Sequence, residues 1–364
     1  MKLFLTGGTG SVGIELLRQA LDQRSFDEIR VLVRASSPSD LERRWSALLA
    51  DVTGHGLAMR ATRLRPCVGD VTRQGFGLLD ADAEWLQAEA THVVHAAAVT
   101  DFNADLAQTV PINVEGTRQA LALARRMRKL DAFAHVSTLY VAGRRTGEVR
   151  EEDLDHDAGF INAYEQTKYE AERLVRASMP ALPVSTYRLS LLVGRASDGH
   201  VHRTLEAHKM FELFASGRAT RVPGAPSHTL DMLPTDYAAR VLHDLVVRHF
   251  VPGETVQIAA GAAAPTCADL VDTFRLHLAR GDWSVGWIDR AEWERLRQDD
   301  EGTSGLSPAA FWMFDVVADY LLLPKQFSRR TVDERFGPAA MPPSVLEYLP
   351  RVLANLTARN WGRA

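Results

Sequence analysis

Cysteine is scarce in this chain. Cys67 and Cys267 are the only two in 364 residues, too few and too far apart for a disulfide framework or a thiolate metal cluster. Thiols used so sparingly favour a reducing compartment. The sequence therefore predicts a cytoplasmic protein without a bound metal.

An excess of positive charge and a long apolar run are also missing. Lys plus Arg number 42 against 46 Asp plus Glu, a net charge of −4, so no general attraction draws the chain to nucleic acid or an anionic membrane. The amino terminus lacks the charged and apolar regions of an export signal. The longest apolar stretch, 309–323, is interrupted by Asp315 and Asp319 and is too short for a bilayer. We expect a soluble protein with no nucleic acid partner and no membrane span.

The first half of the sequence alternates short apolar runs with longer helical patterns. The runs that predict strands are 2–6, 29–34, 63–70, 91–97, 133–138 and 184–190. The patterns that predict helices are 12–23, 39–50, 114–129 and 163–178. Such alternation is typical of βαβ units. It predicts an α/β Rossmann fold, a doubly wound parallel sheet with helices on both faces.

The alternation fades after Gly194. One more helix is predicted within 233–250 and one more strand at 254–260, and the remainder is mostly helical. We predict an NADP-binding Rossmann domain at 1–194, to which 231–260 return. A smaller, mostly helical substrate lobe is predicted from 195–230 and 261–364.

Three glycines follow the first predicted strand. In TGGTGSVG, Gly7, Gly10 and Gly13 stand between an apolar run and a helical pattern. Gly7 permits a tight turn, Gly10 lets backbone N–H groups approach a pyrophosphate, and Gly13 lets the helix pack closely on the strand. The N-terminus of the helix adds partial positive charge. This context predicts a dinucleotide site.

The end of the second predicted strand distinguishes between two cofactors. An NAD site usually carries an acidic residue here, whereas this chain has Arg34, which suits a 2′-phosphate. We therefore predict NADPH. Arg44 is either a second phosphate partner or an exposed helix residue. Asp70 either accepts from the adenine amino group or caps the following helix.

Tyr164 and Lys168 lie four positions apart on one predicted helix. They share a face of that helix, so we expect the Lys168 ammonium to lie near the Tyr164 phenol and to lower the pKa of the phenol. The phenol would then be a useful proton donor near neutral pH. Ser137 and Thr138 end a predicted strand and offer a hydroxyl to the same pocket. Together these residues predict acid catalysis at a carbonyl.

The histidines are interpreted as structural. His95 and His135 fall within apolar strands and are expected to be satisfied core or edge histidines rather than catalytic residues. Four more cluster in the second half without carboxylate or thiolate partners at ligand spacing, and we expect no metal there: His200, His202, His208 and His228.

These motifs resemble the extended branch of the short-chain dehydrogenase/reductase superfamily over most of 1–260. The resemblance rests on TGGTGSVG, VVHAAAVTDF, INVEGT, HVSTLYVAG and YEQTK. It implies that Tyr164 protonates a carbonyl oxygen, that Thr138 hydrogen-bonds it with Ser137 as the reserve hydroxyl, and that Lys168 holds the ribose and tunes Tyr164. A nicotinamide supplies the hydride.

The resemblance also implies a set of cofactor-binding residues. Asn113 belongs to it, although we favour a structural role for Asn113 at a strand-to-helix junction. The full set is Thr6, Gly7, Gly10, Ser11, Val12, Gly13, Arg34, Arg44, Asp70, Val71, Ala96, Ala97, Asn113 and Lys168.

A closer resemblance is to the thioester reductases. It rests on the arginine-bearing helix after the second strand, on the segment GDVTRQGFGL, and on a closing pattern in which a last helix follows a Pro pair. That group comprises terminal reductase domains of peptide and polyketide synthases, carboxylic acid reductases and fatty acyl-CoA reductases. It implies NADPH reduction of an acyl thioester, on coenzyme A or a carrier protein, to an aldehyde or onward to an alcohol. The segment FWMFDVVADYLLL is then either a wall of an acyl tunnel or ordinary core.

Two alternatives stay open. One is an extended-family enzyme for a free ketone, an aldehyde or a nucleotide sugar, for which the second half offers Arg195, Arg203, Arg218 and Arg221. The other is a non-enzymatic NADPH sensor. A free-standing enzyme and an excised domain both fit the sequence, and a homodimer is compatible with the fold.

Overall fold

The computed structural model describes residues 1–54, 57–278, 283–298 and 308–362. The strands are β1 (Lys2–Thr6), β2 (Glu28–Val33), β3 (Leu64–Val68), β4 (His92–His95), β5 (Ala132–Thr138), β6 (Gly147–Val149), β7 (Val184–Leu189), β8 (Leu191–Leu192), β9 (Arg221–Pro223), β10 (Met232–Leu233), β11 (Thr255–Ile258), β12 (Gly286–Ile288) and β13 (Lys325–Phe327). The helices are α1 (Ser11–Asp22), α2 (Pro38–Thr53), α3 (Asp80–Ala88), α4 (Leu106–Val110), α5 (Gly116–Ala124), α6 (Ala163–Ser178), α7 (Glu206–Ala215), α8 (Thr235–Val247), α9 (Cys267–Leu278), α10 (Arg290–Gln298), α11 (Pro308–Leu322), α12 (Arg330–Phe336) and α13 (Val345–Ala358).

Seven strands form one sheet in the order β3-β2-β1-β4-β5-β7-β11. Every neighbouring pair in it is parallel. The strand order reverses between β1 and β4, and ligands of open α/β sheets bind at the carboxyl ends of strands beside such a switch point. The α/β fold predicted from the sequence is confirmed, and its switch point lies between the glycine turn and the segment after β4.

Both faces of the sheet are buried. Leu3 and Leu5 belong to the cluster packed on α1 and α8, whereas Phe4 between them belongs to the cluster on α3, α5 and α6. Successive strand residues point to opposite faces, so an uninterrupted apolar run serves two helical layers. This is why the predicted strands are apolar throughout rather than alternating.

The lobe has its own core, formed mainly by α7, α9, α11 and α13. Phe214 of α7 stacks on Phe274 of α9 at 5.0 Å between ring centroids and meets Phe314 of α11 edge-on at 6.1 Å. Short parallel pairs, β6 with β13, β8 with β10 and β9 with β12, join segments that are distant in the chain. The division of the chain into two domains stays a prediction.

Helix boundaries show where local pattern is sufficient and where it is not. The predicted helix 163–178 coincides with α6. The predicted helix 114–129 is wrong at both ends, because α4 runs through a π-helical turn at Pro111–Glu115 into α5, which ends at Ala124. Beyond α5 the chain turns so that the Arg128 amide donates to the Gln87 carbonyl at 2.8 Å. Among the described helices, none combines the length and the apolar character that crossing a bilayer requires.

Candidate active site

The turn between β1 and α1 requires glycine at two positions for reasons within the protein. Gly7 has φ +73°, and a Cβ there would lie 2.5 Å from the Ala96 carbonyl carbon. A Cβ on Gly13 would lie 2.3 Å from the Gly7 oxygen. Gly10 differs, because a Cβ added there would have the Gly7 oxygen as its nearest heavy atom, at 3.4 Å. The protein itself therefore does not require glycine at position 10, which borders the large cavity described below.

Helix α1 starts at this turn with its N-terminus uncapped. No side chain caps it, and its first turn carries no acidic residue, so the N–H groups at Ser11, Val12 and Gly13 and the positive end of the helix dipole are available to an anion. Ser11 and Val12 line the same cavity as Gly10. The turn thus fits the pyrophosphate of a dinucleotide.

A buried network connects β1 to β4 behind the turn. Thr117 Oγ1 donates to the Asn113 carbonyl at 2.7 Å, so the contact between His95 Nε2 and Thr117 Oγ1, at 3.2 Å, has the imidazole as donor. His95 Nδ1 then accepts from Thr6 Oγ1 at 2.9 Å, and Thr6 accepts from the Ala97 amide at 3.2 Å. Burial lowers the pKa of His95 to about 3. The structure places Thr6 in this network, and His95 is the satisfied core histidine that was predicted.

The residues predicted to reach the adenosine end follow β2 and β3. Arg34 is exposed and has no hydrogen bond or ion pair with the described residues. Arg44 Nε donates to Asp40 Oδ1 at 3.0 Å, and Arg43 shares that carboxylate. Asp70 Oδ1 accepts from the Thr72 amide and hydroxyl, both at 2.9 Å, in a local turn. Val71 is buried, and its side chain lies close to the backbone of Gly116.

Thr138, Tyr164 and Lys168 line one cavity. Thr138 ends β5, and the other two lie one turn apart on α6. Asn162 caps that helix by accepting from the Glu165 amide at 3.0 Å, which fixes where its first turn begins. The residues predicted to be catalytic are therefore brought together by the end of one strand and the start of one helix.

Electrostatics at Tyr164 differ from the prediction. Burial raises the pKa of the phenol to about 12, and the neighbouring Thr138 hydroxyl opposes that shift. Lys168 Nζ donates to the Val136 carbonyl at 2.7 Å and lies 3.4 Å from His135 Nε2, and burial lowers its own pKa to about 8. The expectation that Lys168 lowers the phenol pKa is wrong for this structure, because the ammonium is directed at β5 and desolvation dominates at Tyr164.

The expectation that His135 is a satisfied histidine is also wrong. Its Nε2 is beside Lys168, and its Nδ1 is buried with no partner among the described residues. Burial, followed by the charge of Lys168, lowers the pKa of His135 well below its usual value. This residue is therefore a neutral neighbour of Lys168 and not a fully satisfied core histidine.

The two candidate hydroxyls on β5 face different surroundings. Ser137 Oγ donates to Glu172 Oε2 at 2.9 Å, and Glu172 is also held by the Arg188 guanidinium at 2.6 Å. All three side chains are almost completely buried. Ser137 thus connects β5, α6 and β7, whereas the Thr138 hydroxyl is beside Tyr164.

Asn113 lies behind the cavity and not on its wall. Its side chain exchanges hydrogen bonds with the Val99 backbone at 2.8 and 3.1 Å and donates to Thr167 Oγ1 at 3.0 Å. The loop after β4 is thereby attached to the helix that carries Tyr164 and Lys168. This placement suits a positioning role for Asn113.

The cavity that contains these groups has a volume of about 220 Å³. It extends from the glycine turn and Ala96 to the carboxyl end of β7 and into the lobe. Four of its lining residues were not singled out from the sequence, because they lie on segments remote in the chain: Phe102, Tyr140, Ser190 and Leu191. His202 and Arg203 also line it, although the sequence analysis considered them for other roles. The aspartate-phenylalanine end of VVHAAAVTDF was the nearest signal, since Phe102 stacks on Tyr164 at 5.9 Å.

The clustered histidines have separate partners. His202 Nε2 meets the buried Glu15 Oε1 at 2.6 Å, His208 Nε2 the Val193 carbonyl at 3.1 Å, and His228 Nδ1 the Leu321 carbonyl at 2.7 Å. Across the part of the chain that the structure describes, no three His, Cys, Asp or Glu side chains converge as metal ligands do.

Parts of this chain are similar in sequence to a described family and to other proteins. Residues 5–242 match the family described as male sterility protein. A linear gramicidin synthase polypeptide of Brevibacillus parabrevis is 30% identical over 260 residues, which cover 68% of this chain and 5% of that protein. A putative fatty acyl-CoA reductase of Drosophila melanogaster is 27% identical over 269 residues, 64% of this chain and 52% of that protein. This chain therefore spans only part of the length of both relatives.

A solved structure shares the fold. The terminal R domain from the myxalamid PKS-NRPS biosynthetic pathway aligns with a TM-score of 0.80 and 22% identity, over 99% of this chain and 91% of that one. The family match extends over more than half of the sequence and includes the glycine turn, Thr138, Tyr164 and Lys168. The chain therefore belongs to the male sterility protein family of NAD(P)-dependent oxidoreductases, the branch of the extended short-chain dehydrogenase/reductases that includes the thioester reductases.

Proposed function

We propose that this protein reduces an acyl thioester, carried on coenzyme A or on a carrier protein, to an aldehyde with NADPH. The main support is the single cavity in which Tyr164 and Lys168 share space with the glycine turn and with apolar walls of the lobe. A dinucleotide and a carbonyl compound with an apolar tail both fit such a site. The similarity to a fatty acyl-CoA reductase and to a gramicidin synthase points to the same substrate class. A second reduction to the alcohol would use the same residues.

The cofactor would be held by residues of the first half. The turn at Gly7, Gly10 and the N-terminus of α1 receive the pyrophosphate, Arg34 the 2′-phosphate, and Lys168 the ribose next to the nicotinamide. When bound, the reduced nicotinamide supplies a hydride. The remaining chemistry belongs to the side chains of this chain.

Tyr164 is the proton donor in this proposal. Its raised pKa, about 12, keeps the phenol protonated at neutral pH, so it is in the form that gives a proton to the carbonyl oxygen. The Thr138 hydroxyl donates a second hydrogen bond to that oxygen. Lys168, whose pKa of about 8 leaves it largely charged near neutrality, holds the ribose of the cofactor in this proposal and does not act on the phenol directly. The hemithioacetal then releases the thiol and leaves the aldehyde.

Little in the lobe favours a nucleotide sugar. Arg195 is buried and paired with Asp198 at 2.5 Å, Arg221 pairs with Glu292, and Arg218 donates to Ser216. Of the four arginines considered for a sugar diphosphate, Arg203 alone lines the cavity among the described residues.

The cytoplasmic location and the homodimer stay predictions, the first in keeping with two buried free thiols.

Ser137 and Thr138 provide a matched test of the proposed hydroxyl. Thr138→Val should lower kcat by about 10²-fold or more, because it removes a donor to the developing oxyanion, and Thr138→Ser should restore most of the rate. Ser137→Ala should cost about 1.5 to 3 kcal/mol of folding free energy, because it removes a hydrogen bond to the buried Glu172 carboxylate, and should retain turnover. Steady-state kinetics and thermal unfolding of the three variants check this, and the reverse pattern would move the catalytic hydroxyl to Ser137.

The function itself is tested with a substrate panel. NADPH oxidation and free thiol release are followed together with acyl-CoA and acyl-pantetheine substrates, beside aldehydes, ketones and a nucleotide sugar. We expect oxidation with stoichiometric thiol release for the thioesters. Turnover of a ketone or a nucleotide sugar alone would overturn thioester reduction, and tight NADPH binding without any turnover would favour the sensor.

A further inference from the structure

Two smaller cavities lie beyond the catalytic one, and each shares walls with the one before it. The second cavity, of about 20 Å³, shares four lining residues with the first: Phe102, Tyr140, Leu191 and Ala207. The third, also of about 20 Å³, shares Met210 and Leu321 with the second. Shared lining residues thus connect a series of spaces that leads from Tyr164 into the core of the lobe.

The walls of the second and third cavities are uncharged. The third cavity is lined by aliphatic and aromatic side chains and the Cys267 thiol. In the second, the polar groups are the phenols of Tyr140 and Tyr320, and burial raises the pKa of both well above its usual value, so both are neutral. Neutral walls suit a hydrocarbon chain and disfavour a sugar or a phosphate, which would lose its hydration without gaining partners.

Each small cavity holds little more than a water molecule would need, so a chain can pass from one to the next only if a wall moves. The backbone of Leu321 is held in place, since its carbonyl accepts from His228 Nδ1 at 2.7 Å and lies against Gly224. Met210 is buried in the middle of α7. Its unbranched thioether side chain has three rotatable bonds and adapts readily to a changed space.

We propose that Met210 determines the longest straight acyl chain that the protein accepts. The inference rests on the proposed thioester reduction and specifies its substrate class as unbranched aliphatic acyl groups. The chain passes Phe102 and Tyr140 and ends in the second cavity, and a longer chain has to displace Met210 to enter the third. Each methylene buried in an apolar cavity strengthens binding about fourfold, so kcat/KM rises with chain length until the chain end meets Met210 and then stops rising.

The test uses saturated acyl-CoA substrates of increasing length with wild-type protein, Met210→Ala and Met210→Phe. We expect Met210→Ala to move the plateau of kcat/KM to longer chains, with a gain of about fourfold relative to the shorter substrate for each methylene newly buried. Met210→Phe should move the plateau to shorter chains. A plateau at the same length in all three proteins would overturn the inference.

Leu213→Ala is the matched control. Leu213 is also buried on α7 and lines none of the three cavities. It should lower thermal stability through a comparable loss of packing and keep the wild-type plateau. If Leu213→Ala moves the plateau as far as Met210→Ala does, general loosening of α7 explains both and Met210 is not the determinant.

Equilibrium binding separates this inference from the proposed function. Dissociation constants of straight-chain alkanoates of the same lengths are measured by calorimetry for wild-type protein and Met210→Ala. If no thioester is reduced but the length at which affinity stops rising moves in Met210→Ala, thioester reduction fails and the role of Met210 stands. If thioesters are reduced and neither measurement shows a plateau that moves, the role of Met210 fails and the function stands.

Discussion

Tyr164→Phe should lower kcat/KM for the proposed thioester reduction by about 10²- to 10⁴-fold, the range that a positioned general acid contributes, and should leave the dissociation constant of NADPH unchanged. The substitution removes one hydroxyl and keeps the ring, so the stack on Phe102 at 5.9 Å persists and the cavity changes little in shape. The lost group is the proton donor, since phenylalanine has no proton to give to the carbonyl oxygen. Steady-state kinetics with an acyl-CoA and a fluorescence titration with NADPH measure the two quantities.

Tyr169→Phe is the control for this result. Tyr169 lies on the same helix, outside the cavity, and its hydroxyl is 3.5 Å from Asp155. The variant should keep wild-type kcat/KM. Unchanged turnover in Tyr164→Phe would refute the assigned proton donor, and equal losses in both variants would point to a disturbed helix α6 instead.

Local sequence was sufficient for the parts of the site that depend on one segment of chain. The requirement for glycine at position 13 is local, because a Cβ there would meet Gly7 and Gly8 of the same turn, whereas the requirement at Gly7 also involves Ala96 in the segment after β4. Tyr164 and Lys168 share a face because helix geometry places residues four apart on one side. These predictions needed no knowledge of which segments meet in the fold.

Contacts between segments that are distant in the chain could not be predicted from the sequence. The direction of the Lys168 ammonium depends on the Val136 carbonyl and on His135, which belong to another element. The bond from Ser137 to Glu172 depends on how β5 meets α6, and nothing in either segment alone distinguishes Ser137 from Thr138 in that respect. Desolvation, which sets the pKa of Tyr164, is likewise a property of the assembled core.

The lobe was the least predictable part for the same reason. The segment at 311–323 was open to two interpretations, a tunnel wall or core. Phe314, Val317 and Tyr320 of α11 all belong to the packed interior, and Val317 and Tyr320 also line the second cavity, whose role as part of an acyl tunnel stays a prediction. Which side of an apolar helix meets a cavity depends on the elements packed around it. Apolar residues on several sides of a helix carry no signal for that choice.

The second large expected effect is at Arg34. Arg34→Ala should raise the dissociation constant of NADPH by about 10- to 100-fold, the loss expected for charge-assisted hydrogen bonds to a phosphate, and should leave that of NADH unchanged. Arg34 directly follows β2, is exposed and has no ion pair with the described residues, whereas Arg43 and Arg44 nearby are both paired with Asp40. Titration of both cofactors with the wild type and the variant gives the two ratios.

Arg43→Ala controls for a general change of surface charge. Arg43 is 71% exposed and its guanidinium bonds to Asp40 Oδ1, so its removal should change the affinities for NADPH and NADH little and to the same extent. A selective loss of NADPH affinity in Arg34→Ala alone therefore identifies a contact with the 2′-phosphate, because that group is the only difference between the two cofactors. Equal losses of both cofactors in Arg34→Ala would refute the contact and would leave the preference between NADPH and NADH to be decided by Arg44.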